Sequence, residues 1–408
     1  MAVAQTNMVP GLTAQWHSDL AQIPPKEWDE LAGAVQGGTP FLRHSLLSAM
    51  VNSGSACAAT GWQVHFLTLS DTDGVIRAAC PVFLKSHSHG EYVFDWAWAD
   101  AHDNALAKQG HHYYPKLVSA VPYSPIPGQR LLVHPCLTMV EQAAARRHLL
   151  QALSDECQAK GWSSAHILFL SEEEAQASAA QGWLVRQGVQ FHWQNRCPEP
   201  YVDFEDFLVG LHRTKRKNIQ QERRKVREAG VTFEILEYEA ITEADWDFFY
   251  LCYCQTYTER GQRPYLSRSF WTQAALALPG CWVLFVATQN GQRIAAALLA
   301  IDPIERIAYG RYWGAVADVS CLHFEACYYQ PLDWCIQHGM RRFEGGAQGE
   351  HKLTRGLLPV NTYSAHWLRH EGLRHAVADF LMREKQGVQR YIGELDARSP
   401  FKPPDQSA

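Results

Sequence analysis

The side chains best suited to chemistry lie close together in the second half of this 408-residue sequence. The run Tyr309–Gln330 (YGRYWGAVADVSCLHFEACYYQ) begins like a strand and continues as a helix. Strand alternation predicts Tyr309, Arg311 and Trp313 on one face and Tyr312 on the other. A phenol beside a guanidinium can donate a proton or hold an anion, so this strand is a candidate wall of an active site.

His323 and Glu325 follow at the predicted start of the next helix. An imidazole beside a carboxylate can serve as a general base, and a helix N-terminus favours a developing oxyanion. The same two side chains could equally form a polar cap of the helix. The sequence leaves both interpretations open.

A glycine-bounded loop, Phe343–Val360 (FEGGAQGEHKLTRGLLPV), follows the next predicted strand. Its glycines allow a ligand to approach the backbone closely and expose amide donors. Its titratable side chains are Glu344, Glu350, His351, Lys352 and Arg355. This density favours a functional site over a solvent loop, although the spacing is not that of a P-loop.

The segment Leu211–Glu228 is strongly basic, with eight Lys or Arg residues against two Glu. Spacings of three and four align Arg213, Lys217, Arg224 and Arg227 along one stripe of a helix. One interpretation is a solvated surface helix. The other is an anion site for the phosphates of a nucleotide, a nucleotide-sugar or a tRNA backbone. The scarcity of interspersed acids favours the second.

Composition excludes several classes of protein. The net charge of −5 argues against a wholly basic nucleic-acid coat protein, and we expect no DNA partner. No secretory signal and no apolar run long enough for a membrane span are visible, and the 11 cysteines contain no C-x-x-C pair. We therefore expect a cytoplasmic protein with reduced thiols. The 19 histidines show no known zinc spacing, so no metal site is predicted.

The predicted elements give an α/β (α+β) chain of two domains. The second half is ordered as helix, strand, two helices, antiparallel strands, helix, strand, helix, and the first half follows a looser version of this order. Cys197–Pro200 separates them, which predicts domains over residues 1–197 and 198–408. The sequence also predicts one helix over Asp203–Ala229 and an irregular edge strand over Lys116–Leu132.

Several segments together resemble the FemAB-like family of peptidoglycan biosynthesis or recognition proteins. They are HSHGEYVFDWAWADAH, YYPKLVSAVPYSPIPGQRLL, KRKNIQQERRKV, RPYLSRSFW, YGRYWG, LHFEACYYQ, GAQGEHKLTRGLLPV and SAHWL. The resemblance covers about Phe41–Lys402. It implies tandem GNAT-like acyltransferase domains, each a mixed, mostly antiparallel sheet flanked by helices, with an acyl-transfer cleft at or near the second.

The resemblance also implies a type of reaction. Fem-type transferases move an aminoacyl group from aminoacyl-tRNA to an amine of a peptidoglycan precursor. Lys352, Arg355 and Gly356 match the family's Lys and Gly-containing turn, and Lys215–Arg227 resembles its Arg-rich helix. Where GNAT enzymes carry Q/R-x-x-G-x-G/A for the pyrophosphate of acetyl-CoA, this chain has WGAVADVSCLHFEA, which lacks the motif.

The combined prediction is an N-acyltransferase without a tightly bound cofactor, whose donor is aminoacyl-tRNA or acyl-CoA. Its acceptor is a small-molecule or peptidoglycan-type amine, and tRNA is a candidate partner. The base is Glu344 or the His323 and Glu325 pair, and Tyr309 or Tyr312 protonates the leaving group. The predicted substrate and phosphate ligands are Arg311, His351, Lys352, Arg355, Lys215, Arg216 and Arg224. The alternative is a non-catalytic protein that binds a phosphate-bearing precursor or tRNA.

Overall fold

A computed structural model describes residues 11–33, 39–346 and 349–403. The chain forms two compact units. Unit 1 comprises the described residues up to Gly188 together with Thr362–Val388, and unit 2 comprises Val189–Asn361 with the described residues from Gln389 onward. The unit boundary therefore differs from the one predicted at residue 197. It falls at Gly188, inside the continuous strand Leu184–Gln194 and not in a loop.

The described residues of unit 1 before Leu184 form the eight strands and five helices given below. The strands are β1 (Thr13–His17), β2 (Trp62–Val64), β3 (Phe66–Ser70), β4 (Ile76–Cys80), β5 (Val82–Lys85), β6 (Lys116–Ser119), β7 (Leu132–Val133) and β8 (Ser164–Leu170). The helices are α1 (Pro25–Leu31), α2 (His44–Asn52), α3 (Trp96–Leu106), α4 (Met139–Lys160) and α5 (Glu172–Ala180). The strand β9 (Leu184–Gln194) leads out of unit 1 and into unit 2.

Strand β6 corrects the prediction of an irregular edge strand over Lys116–Leu132. Only Lys116–Ser119 is a strand, and it pairs with β5 on one side and in parallel with β8 on the other. Its four residues are buried. The three prolines that suggested an edge follow the strand and do not interrupt its hydrogen bonds. A second sheet in unit 1 has the order β1-β3-β4-β7.

Unit 2 contains the remaining elements apart from parts of the last two. The helices are α6 (Phe204–Gly210), α7 (Arg213–Glu228), α8 (Glu243–Thr258), α9 (Arg268–Ala277), α10 (Leu322–Phe324) and α11 (Gln330–Gln337), with a π-helical turn at Glu325–Tyr329. The strands are β10 (Val231–Glu237), β11 (Trp282–Gln289), β12 (Gln292–Asp302), β13 (Ile307–Ala315) and β14 (Arg342–Glu344). β15 (Leu358–Leu368) and α12 (Glu371–Ala397) return the chain to unit 1 and back.

The sheet of unit 2 has the order β10-β11-β12-β13-β14-β9. Its pairs are antiparallel except for β13 and β14, which are parallel. Asn290 and Gly291, both with positive φ, form the two-residue turn between β11 and β12. The predicted fold class, α/β with mostly antiparallel sheets flanked by helices, is confirmed. In the described part of the chain, no helix is long and apolar enough to cross a membrane.

The basic segment is divided between two helices, not one as predicted. Leu211 leaves the helical path and forms an isolated antiparallel bridge with Phe401. The amide of His212 donates to the carbonyl of Pro400 at 2.8 Å. Because Leu211 is fully buried, packing outweighs helix propensity at this position, and α7 begins afresh at Arg213.

A β-bulge in β13 changes the predicted faces of that strand. Leu298 of β12 lies opposite Tyr312, whereas the next residue, Leu299, lies opposite Gly310. Arg311 is therefore the extra residue of the bulge. Tyr309 and Tyr312 consequently share one face of the sheet, and Trp313 lies on the other. The prediction that Tyr309 and Trp313 share a face is wrong because a bulge shifts the alternation by one.

Gly314 lets α8 pack directly on β13. A Cβ atom built at Gly314 would lie 1.8 Å from the carbonyl oxygen of Cys252, and the hydroxyl of Thr256 donates to the carbonyl of Trp313 at 2.8 Å. We expect Gly314→Ala to lower the free energy of unfolding by about 1–3 kcal/mol, measured in denaturant.

Gly393 provides the matched control for this prediction. It lies in the part of α12 that belongs to unit 2, and a Cβ atom there meets nothing within 4 Å. Gly393→Ala should raise the free energy of unfolding by about 0.5–1 kcal/mol. Equal stability changes for the two variants would contradict this close packing of α8.

Candidate functional site

The parallel strands β13 and β14 separate near the middle of β13. Their pairing runs from Ile307 opposite Arg342 to Tyr309 opposite Glu344, after which β14 ends and β13 continues to Ala315. Gly345 follows at this point, and its amide donates to the carbonyl of Phe191 at 3.1 Å. A Cβ atom at Gly345 would lie 2.5 Å from the side chain of Leu357. Close packing therefore leaves no room for a side chain at position 345.

Two neighbouring cavities lie at this opening. The smaller measures about 140 Å³, and its buried lining includes Phe285, Ala297 and Leu299. The larger measures about 660 Å³ and is lined by the chain from residue 315 to 324 and by part of α8. Trp313 and His323 line both, so the cavities adjoin. A ligand could place a large group in one cavity and a small group in the other.

Glu344 occupies the edge of the opening. Its side chain is 4% exposed and shares a face with Tyr309, its partner in the parallel pair. Burial raises the pKa of Glu344 to about 7, while Arg342, with Nη2 2.9 Å from Oε1, and Arg311 oppose the rise. A carboxyl group with this pKa is partly ionised at neutral pH and can accept a proton.

The face that carries Glu344 is rich in phenols. Nη2 of Arg311 donates to the hydroxyl of Tyr312 at 3.1 Å. The ring of Tyr312 lies 5.1 Å from that of Tyr253 and 5.5 Å from that of Trp271. Tyr253 lies on α8, which the sequence analysis did not single out.

His323 and Glu325 do not form the pair that was one of the two sequence interpretations. The carboxylate of Glu325 accepts hydrogen bonds from Arg223 at 3.1 Å and from Gln330 at 2.8 Å. His323 instead packs its ring 4.9 Å from that of Trp313, and burial lowers its pKa to about 4. No hydrogen bond or ion pair joins His323 to Glu325 in the described ranges. Glu325 therefore secures the π-helical turn, while His323 lies beside both cavities as a neutral imidazole.

Lys352 and Arg355 are buried and bonded within the fold. Nζ of Lys352 donates to the carbonyl of Gly346 at 3.1 Å, and burial lowers its pKa to about 8. The guanidinium of Arg355 bonds Glu222 of α7 at 2.9 Å and lies 3.5 Å from the ring centre of Phe324. These bonds occupy donors that the sequence analysis assigned to a phosphate. Ala347 and Gln348 of the same predicted loop lie outside the described residues.

His351 directly precedes Lys352 in sequence and contacts the helical wall of the site. Its Nε2 lies 2.9 Å from the hydroxyl of Tyr328, and its ring centre is 6.1 Å from that of His323. Burial lowers the pKa of His351, with the positive charges of Arg355 and Lys352 acting in the same direction. His351, which the sequence predicts to bind substrate or phosphate, therefore lies near the cavities as a neutral imidazole.

The basic helix α7 has an inner and an outer side. On the inner side Glu222 contacts Arg355, and Arg223 contacts Glu325 and Asp333. The outer side borders an open pocket with a volume of about 620 Å³. The exposed cations that line this pocket are Lys217, Arg224 and Arg227. Of the predicted ligands, Arg224 lines this pocket, whereas Lys215 and Arg216 are half-buried and do not line it. The sequence analysis missed Arg223, whose role depends on contacts far along the chain.

Unit 1 contains a buried ionic cluster, which is defined here as Ser88, Glu91, Asp95, Tyr113 and Lys116. Nζ of Lys116 donates to Glu91 at 2.9 Å, to Asp95 at 2.5 Å and to Ser88 at 2.7 Å. The hydroxyl of Tyr113 donates to Asp95 at 2.7 Å. The cluster ties the loop before α3 to β6. No sequence motif predicts it, because its members come from separate segments.

Comparisons with known proteins give a family and a fold. A profile of the FemAB-like family, described as peptidoglycan biosynthesis/recognition, matches residues 19–403. No curated protein matches the sequence. Within the described ranges, no group of three or more His, Cys, Asp or Glu side chains is arranged to hold a metal ion.

Two solved structures resemble this chain at low identity. The C-terminal domain of a putative lysylphosphatidylglycerol synthetase from Agrobacterium fabrum is 10% identical with a TM-score of 0.52, and the match covers 90% of this chain and 97% of that one. A conserved protein of unknown function from Bacteroides thetaiotaomicron is 10% identical with a TM-score of 0.51, over 88% and 100% of the two chains. At this level of identity the comparisons establish a shared fold.

Proposed function

Since the chain belongs to the FemAB-like family, we propose that it is an N-acyltransferase that moves an acyl or aminoacyl group to an amine of a small molecule or peptidoglycan-type precursor. The observation that carries the proposal is the opening between β13 and β14. A carboxyl group with a pKa of about 7 stands at its edge, and two adjoining cavities of about 140 and 660 Å³ lie beside it. An acyl carbon held at the opening would lie near a base.

The two cavities suggest how an activated donor is held. The part of the donor next to the acyl group, which belongs to CoA or to the terminal nucleotide of tRNA, lies in the larger cavity beside Arg260. The acyl group enters the smaller cavity past Trp313 and His323, which line both. This arrangement fixes the donor carbonyl before the amine arrives and so lowers the entropic cost of the reaction.

Transfer then requires a proton acceptor and a proton donor. The acceptor's ammonium gives its proton to Glu344, and the free amine attacks the donor carbonyl to form a C–N bond. When the tetrahedral intermediate collapses, the bond from carbon to the donor's oxygen or sulfur breaks, and the phenol of Tyr312 protonates the leaving atom. The amine's second proton returns to the phenolate. Arg311, bonded to Tyr312, adds positive charge beside the developing oxyanion.

The pH dependence of transfer tests the role of Glu344. The base works only when ionised, and burial raises the pKa of Glu344 to about 7. We therefore expect kcat/KM to rise about tenfold per pH unit below 7 and to level off above it. Single-turnover reactions with acetyl-CoA, glycyl-tRNA or alanyl-tRNA and a UDP-linked muramoyl pentapeptide, analysed by mass spectrometry, measure this profile. Donor binding without product at every pH would favour the non-catalytic alternative.

A further inference from the structure

We propose that the smaller cavity selects small, uncharged acyl groups and that Ala297 sets its size limit. The inference rests on the proposed function, because it assigns the acyl part of the donor to this cavity. It goes further by naming the class of acyl group. Three properties of the cavity support it: its volume, the chemistry of its lining and the position of Ala297.

The volume limits the length of the acyl chain. The cavity measures about 140 Å³. A protein cavity of about 150 Å³ holds one benzene molecule, and a water molecule occupies about 30 Å³ of liquid. The cavity therefore accommodates a group of about six non-hydrogen atoms. A long fatty-acyl chain exceeds this limit.

The lining disfavours a charged acyl group. Its most buried side chains are hydrocarbons, among them Phe285 and Leu299, each no more than 1% exposed. The described residues that line it include no carboxylate. Of its polar members, Tyr328 is buried and bonded to His351, and the others, Arg311, Tyr312, His323 and Cys327, are half-buried. A cationic group such as a lysyl side chain would lose its hydration without gaining a counter-charge.

Ala297 belongs to the buried lining. It is opposite Phe285 on β11 and opposite Trp313 on β13, so the three side chains share one face of the sheet. All three line the cavity. The methyl group of Ala297, between its neighbours Phe285 and Trp313, leaves part of the cavity empty. A larger side chain at this position would fill that space. Ala297 is therefore the position at which substitution changes capacity most directly.

The test uses N-acetylcysteamine thioesters as probes, because they carry only an acyl group and a short thioester. Calorimetry should show that the acetyl, propionyl and butanoyl probes bind, whereas octanoyl and the cationic β-alanyl probe bind at least about tenfold more weakly. Ala297→Leu should weaken butanoyl binding about 10- to 200-fold and change acetyl binding much less, since a misfit methylene in an apolar pocket costs this much. Ala297→Gly should admit longer chains.

Thermal unfolding shows that each variant is folded, and the acetyl probe provides the internal reference. Equal affinity for acetyl and octanoyl, tight binding of the β-alanyl probe, or a butanoyl affinity unchanged in Ala297→Leu would overturn the inference. The experiment also separates the failure of the proposed transferase activity from the failure of the proposed acyl pocket. Size-selective binding without transfer to any amine would support the pocket and reject the transferase. Transfer that is indifferent to chain length would reject the pocket assignment alone.

Discussion

Replacing Glu344 with Gln is expected to lower the rate of acyl transfer by about 10²- to 10⁴-fold. The amide keeps the shape of the side chain and its contact with Arg342, but it cannot accept the ammonium proton. Because the variant also lacks the group whose pKa is raised to about 7, the rise of kcat/KM with pH should disappear. Single-turnover rates from pH 5.5 to 9, a range chosen to lie about 1.5 pH units or more on either side of that pKa, measure both effects.

Glu325→Gln is the matched control. Glu325 is also buried, and its pKa is also raised by burial, but its carboxylate is bonded to Arg223 and Gln330 in the π-helical turn, away from the end of β14. This variant should retain transfer within about tenfold of the wild type and keep the pH profile, because it alters positioning and not proton transfer. A full rate in Glu344→Gln, or an equal loss in both variants, would show that Glu344 is not the base.

Removing the positive charge of Lys116 is expected to destabilise the protein by about 3–5 kcal/mol. Lys116→Met removes the cation that bonds Glu91 and Asp95, both of which are at most 3% exposed. The neighbouring buried Lys85 replaces this charge only in part, because burial lowers its pKa to about 7. Chemical denaturation followed by tryptophan fluorescence and circular dichroism measures the loss. The cluster thus makes the loop before α3 dependent on one lysine.

The pH dependence of stability in Lys116→Met shows whether the variant is destabilised by the lost positive charge or by altered packing. In the wild type, burial already raises the pKa of Glu91 to about 7, and loss of Lys116 raises it further. A carboxyl group whose pKa is higher in the folded state binds more protons there than in the unfolded chain, so stability falls as pH rises. Lowering the pH from 7 to 5 should therefore restore part of the stability of Lys116→Met, by an amount of order 1 kcal/mol. A loss that is constant with pH, or one below 1 kcal/mol, would mean that the cluster is not an essential ion pair.

The sequence predicts regular elements well where local signals are strong. The pattern over residues 141–160, followed by Gly161, predicts a helix, and α4 spans Met139–Lys160 with a capping box at Thr138 and Glu141. The Asn290–Gly291 turn marks the hairpin of β11 and β12. These features depend on neighbouring residues alone, so one sequence is enough to find them.

The features that were missed depend on contacts between distant residues. The bulge at Arg311 follows from the pairing of β12 with β13, and it moves Tyr309 onto the face of Tyr312. Arg355 was predicted to bind a phosphate, and in the structure it bonds Glu222. One of the two interpretations paired Glu325 with His323, whereas its carboxylate bonds Arg223. The residue types of the site were visible in the sequence. Their partners were not, because side-chain pairing is decided by tertiary structure.

The central claim is that unit 2 transfers an acyl group at the opening beside Glu344. The most direct measurement is a single-turnover reaction in which wild-type protein and Glu344→Gln are compared at pH 8 with the same bound donor, acetyl-CoA, and the same peptidoglycan-precursor amine. We expect acylated amine from the wild type and at least about 100-fold slower formation by the variant, with equal donor affinity. Donor bound by both proteins without product, or equal rates from both, would contradict the claim.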